Sequence, residues 1–146
     1  MARQPDDAHT RPDGVDDATV DAVGKVSEAF ELLQRARGAL YEFHQQIGYV
    51  DDTLGDGLQM LRDAGHDDLA DELATTWLGR NVLPDRWTFE VVEEFERTYM
   101  DVAIAGERRV REQLLEGRAH VQEAERKAQR RADGPDDDRC RPPSPP

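Results

Sequence analysis

Arg37, His44 and Asp51 stand at seven-residue intervals, with Tyr41 one helical turn from His44. On a helix that spacing keeps all three on one face, because seven residues are close to two turns. They also interrupt an apolar pattern. Val26, Leu33, Leu40, Ile47, Leu54 and Leu61 recur every seven residues, and Val23, Phe30 and Leu58 hold the companion position that Arg37, His44 and Asp51 hold elsewhere. Ionisable groups on a packed face must be paired or must reach past it to water. Two chemistries fit. One is a polar layer that sets the register or oligomer state of packed helices. The other is a site for a metal ion or small ligand beside His44, Asp51 and Tyr99, since helical bundles hold metals with inward histidines and carboxylates. The paired Glu-x-x-His segments of ferritin-like di-metal proteins are absent from this sequence.

A second constellation surrounds the stretch from Trp77 to Tyr99, which contains both tryptophans. Arg80, Asn81, Asp85, Arg86 and Trp87 precede a run of carboxylates, Glu90, Glu93, Glu94 and Glu96, grouped around Phe95. Mixed aromatic and charged residues on a loop compose a recognition surface, and Arg80, Asn81, Arg86, Trp87, Glu90 and Glu94 are its candidates. The plain alternative is a solvated helix face and a turn anchored by its own ion pairs.

Catalytic chemistry finds little support. There is no Gly-x-Ser-x-Gly elbow and no phosphate-cradling glycine loop. Cys140 is the only cysteine and lies in a Pro-rich tail, so the body has no thiol nucleophile and no intrachain disulfide. His66 is read as a residue at a helix start, and His9 falls in a polar arm. No catalytic residue, metal ligand or cofactor is assigned. The net charge of −13 is concentrated before residue 107, which disfavours nucleic acid, and the more basic stretch after it is diluted by glutamates. No apolar run is long enough to span a membrane, and the cytoplasm is the expected setting.

These residues need elements to position them. The seam implies a helix from about Asp16 to Ala64, with Gly48, Gly55 and Gly57 as places where it could break. Ala64-Gly65 reads as its C-terminal cap, followed by a short helix carrying Leu69, Leu73 and Trp77. Gly79 and Pro84 bracket a turn. A last helix is expected from Asp85–Thr88 to about Arg131, its stripe being Val92, Phe95, Tyr99, Val102, Gly106, Val110, Leu114, Gly117, Val121 and Ala124. If the chain reverses around residues 65 to 87, His44 faces Glu107 and Arg108, and Asp51 faces Asp101. Residues 1–14 and 132–146 are compositionally disordered arms flanking one helical domain, 15–131.

Several segments resemble a family of small uncharacterised helical proteins from actinobacteria. They are Val-Ser-Glu-Ala, Arg-Ala-Arg-Gly-Ala-Leu-Tyr-Glu-Phe-His-Gln, Gly-His-Asp-Asp-Leu-Ala-Asp, Gly-Arg-Asn-Val-Leu-Pro-Asp-Arg-Trp-Thr-Phe-Glu-Val-Val-Glu-Glu-Phe and Glu-Gly-Arg-Ala-His-Val-Gln-Glu-Ala-Glu. The likeness spans about residues 24 to 127. No activity comes with it, but it marks Phe43, His44, Gly79, Arg80, Asn81, Pro84, Trp87 and Thr88 as positions to test. The expectation is therefore an all-α protein, an elongated antiparallel helical hairpin with a short intervening helix in a coiled-coil-like arrangement. Its expected role is non-enzymatic interaction with a protein partner or a second copy of itself.

Overall fold

The computed structural model describes residues 6–132. The expectations for residues 1–5 and 133–146 lie outside the described residues. The fold is all-α, with no β-strand among the described residues: α1 (Asp17–Asp63), α2 (Asp67–Thr76), α3 (Thr88–Phe95), a single π turn (Glu96–Met100), α4 (Asp101–Leu115) and α5 (Val121–Ala132). Among the described residues they form two compact units, residues 31–103 and residues 6–30 with 104–132.

α1 runs unbroken for 47 residues, so the glycines at 48, 55 and 57 do not interrupt it. Asp16 caps it by accepting the amide hydrogen of Thr19 at 2.8 Å, and hydrogen bonding from the Thr19 side chain and then from that amide holds its carboxyl below the usual carboxylate range. At the other end Gly65 adopts φ +86°, its N–H donates to Arg62 O, and His66 N–H donates to Leu61 O. This pair of bonds is the Schellman cap, and the left-handed conformation is why a glycine stands there. The burial of α1 follows the seven-residue seam: Val23 and Leu58 are buried, while Phe30, Leu33, Leu40, Ile47, Leu54 and Leu61 are half-buried. Val26 departs from it, lying exposed.

In the unit of residues 31–103, Leu58, Ala70, Val92 and Met100 are buried. Past the Gly65 cap, Arg62 of the last turn of α1 donates to Asp71 of α2 at 2.9 Å. His44 meets Thr88, not Glu107 and Arg108. Similarly Asp51 meets Gly79, not Asp101. A turn over residues 65 to 87 would contain the whole of α2, and these bonds do not follow the register it implies.

The last helix also departs from expectation. The π turn adds a residue within one helical stretch, so the face that packs changes phase. From its last residue through α4 the covered positions are Met100, Ala103, Glu107, Val110, Arg111 and Leu115, whereas Tyr99, Val102, Gly106 and Leu114 of the expected stripe are exposed. The helix then stops at Leu115 instead of continuing to Arg131. Glu116, Gly117 and His120 all take positive φ.

That break serves the second unit, whose core is Val20, Val23, Leu115 and Val121 with Val15 and Val110 packed against it. Turning the chain at 116–120 lets residues from both α4 and α5 reach Val20 and Val23. Residues 6–14, placed by composition in a disordered arm, are instead tied into this unit. His9 Nδ1 lies 2.8 Å from Ala119 O, and Arg118 donates to Thr10 O at 2.6 Å. Arg11 donates twice to Glu125, at 2.8 and 2.7 Å, and once to Asp17 at 2.6 Å. Those carboxylates raise its guanidinium pKa further.

Candidate functional site

The three polar residues of the seam each find a partner within residues 79–96. Arg37 Nε donates to Glu96 Oε1 at 2.5 Å, and the guanidinium lies 5.8 Å from the centre of the Tyr41 ring. The Glu96 carboxylate is the main cause of the rise in the Arg37 pKa. His44 Nδ1 and Thr88 Oγ1 are 2.7 Å apart in a hydrogen bond whose direction the imidazole tautomer decides. Asp51 Oδ1 accepts the Gly79 N–H at 3.1 Å. Polar groups on a half-buried face are thereby satisfied, as burial requires.

Local structure explains why those partners are present. Trp77 N–H and Leu78 N–H both donate to Leu73 O, ending α2, and Gly79, with φ +67°, follows and donates its amide hydrogen to Asp51. Leu83-Pro84-Asp85-Arg86 is a tight turn closed by Arg86 N–H donating to Leu83 O at 3.2 Å. Proline at its second position and φ +58° at Asp85 are the pattern of a type II turn. Trp87 then precedes α3 in an extended conformation, and the Glu90 carboxylate accepts its N–H at 2.7 Å. Thr88, the first residue of the helix, is left to bond His44.

Between α1 and the segment 79–89 lies an open cleft of about 310 Å³, lined by His44, Ile47, Gly48 and Asp51 on one side and Gly79 to Val82 and Trp87 to Phe89 on the other. Its rim is aromatic: Trp87 is 62% exposed and packs edge-on against Phe89 with ring centres 5.3 Å apart. Gly48 leaves that wall bare, since a Cβ there would meet nothing within 4 Å. Arg80 contributes an exposed cation whose one described bond is a donation to Thr76 O at 3.3 Å.

The structure thus brings His44 and Asp51 of the polar seam together with Arg80, Asn81 and Trp87 of the recognition stretch. The other candidates lie apart from the cleft. Tyr41 is under the Arg37 guanidinium, and Tyr99 is stacked on Phe95 with ring centres 5.6 Å apart and is 59% exposed. Arg86 pairs with Glu94, which Arg97 also approaches. With Glu90 capping Trp87 and Glu96 held by Arg37, much of the carboxylate run is used internally. Ile47, Gly48 and Val82 also line the cleft; the sequence marks Ile47 only as a seam residue and Gly48 only as a weak point of the helix, because neither an apolar residue nor a helical glycine carries a chemical signature. Among the described residues, His44 and Asp51 belong to no trio of His, Cys, Asp or Glu with ligand atoms close enough to share a metal ion. Comparison with known proteins gives no matching family model, no matching curated protein and no matching solved structure.

Proposed function

We propose that this chain is a non-enzymatic helical interaction protein of the cytoplasm, and that a segment of a protein partner docks in the cleft between α1 and residues 79–89. The observation that carries this reading is the convergence on one concave surface of an exposed tryptophan, a cation and two half-buried polar residues. Exposed Trp and Arg are the residue types that most often anchor protein contacts. The scaffold is proposed to be an antiparallel helical hairpin. In support, partners on the returning chain descend in number as those on α1 rise, from Arg37 with Glu96 through His44 with Thr88 and Asp51 with Gly79 to Arg62 with Asp71. No helix among the described residues is long and apolar enough to cross a membrane.

Capture from native lysate on wild-type, Arg80→Ala and Trp87→Ala protein tests the reading. A protein retained by the wild type and lost with both variants, their helical circular dichroism unchanged, supports it. Identical retention on all three overturns it. A second reading, a small ligand or metal ion beside His44 and Asp51, is favoured by the cleft's volume, which lies at the lower end of the range for small-molecule sites. One ring nitrogen of His44 and one oxygen of Asp51 also lie outside the bonds that fix them. Ligand or metal that stays with the protein through gel filtration and is lost in His44→Ala would favour it over docking.

A further inference from the structure

Beside the seam that packs inward, α1 carries a second stripe at alternating three- and four-residue spacing: Leu32, Ala36, Ala39, Phe43, Gln46, Val50, Thr53, Gly57 and Met60. All nine are uncharged, in a protein of which 35% is charged. All but the half-buried Gly57 are exposed, Leu32 at 56% and Met60 at 72%. None lines the cleft. A helix face with this spacing is complementary to another helix, since it keeps one line of knobs and holes in phase over its whole length.

Residue size selects the partner and its direction. If two copies of α1 run antiparallel about a two-fold axis between His44 and Gln45, alternate positions of the stripe oppose one another. Leu32 then meets Gly57, Ala36 meets Thr53, Ala39 meets Val50 and Phe43 meets Gln46, so large residues face small or slender ones and the layers even out. In a parallel pair Phe43 would meet Phe43 and Ala39 would meet Ala39, leaving alternately crowded and empty layers. Charge agrees with the antiparallel choice. Arg35 and Asp56, each without an ion pair among the described residues, flank the stripe on one side and come opposite one another across the axis, while Glu42 comes opposite Tyr49.

We propose that this stripe is the interface between two copies of the chain, packed α1 on α1 in antiparallel orientation. The proposal is independent of what occupies the cleft. It is tested with full-length protein in a Cys140→Ser background carrying either Ala39→Cys or Val50→Cys. Under mild oxidation neither variant alone should form a covalent dimer, because like positions are far apart along the antiparallel pair, whereas an equal mixture of the two should. Light scattering should give a dimer for the parent and a monomer for Phe43→Glu, with helical circular dichroism retained. A monomeric parent, cross-linking of Ala39→Cys with itself, failure of the mixture to cross-link, or persistence of the dimer in Phe43→Glu would each overturn the proposal.

Discussion

Gly48→Ala offers a test in which the local structure sets both the sign and the size of the effect. Gly48 lies inside α1, on the cleft wall, and an added Cβ would meet nothing within 4 Å. With no clash to oppose it, the substitution should yield the difference in helix propensity between glycine and alanine, about 0.8–1 kcal/mol. For a chain of this length that raises the melting temperature by about 4 °C. Gly38→Ala, also helical and open, is the matched control away from the cleft. Gly24→Ala should gain less, because its Cβ would press on the Gln122 side chain and disturb the bond from Gln122 to Asp21. Thermal unfolding followed by far-ultraviolet circular dichroism measures all three. A loss of stability in Gly48→Ala would mean that the position is packed or the helix irregular there, and would refute both the open wall and the continuity of α1.

Other outcomes follow from the same geometry. Met100→Ala should cost about 2–5 kcal/mol in urea denaturation, and Tyr99→Ala much less, because the π turn buries the first and exposes the second. Gly79→Ala should destabilise by about 1–2 kcal/mol, since a Cβ is strained at its positive φ. Bonds from Arg111 and then Ser27 hold the Glu107 carboxyl below the usual glutamate range. A depressed folded pKa gives stability that is complete above the unfolded value and lost as pH falls through the folded one. Denaturation from about pH 6 down to about pH 3 should therefore show a loss of stability that Glu107→Gln reduces.

The long first helix was legible because its apolar positions repeat every seven residues, and Leu33, Leu40, Ile47, Leu54 and Leu61 are half-buried as that repeat requires. Arg37, His44 and Asp51 were legible too, as polar residues on a packing face that must have partners. Which partners they take was not, because register depends on where the chain reverses. A Schellman cap at Gly65 ends α1, but the local pattern of α2 fits equally well a helix within a turn or one lying back along α1. The exposure of Tyr99 and Val102 was hidden for a different reason. The stripe of fours from Val102 to Leu114 is mostly exposed, because a π turn before it, at residues 96–100, shifts the packed face, and nothing in the local sequence marks that turn. The cleft, finally, is made by bare backbone at Gly48 and Gly79 as much as by side chains, and a helical glycine in a sequence announces only a weak spot.

Segment 79–89 lies against α1 so that His44 and Asp51 share a concave surface with Trp87. Nuclear Overhauser contacts from the His44 imidazole test this directly. Contacts to the Thr88 methyl are expected, and contacts to Glu107 or Arg108 in their place would contradict it.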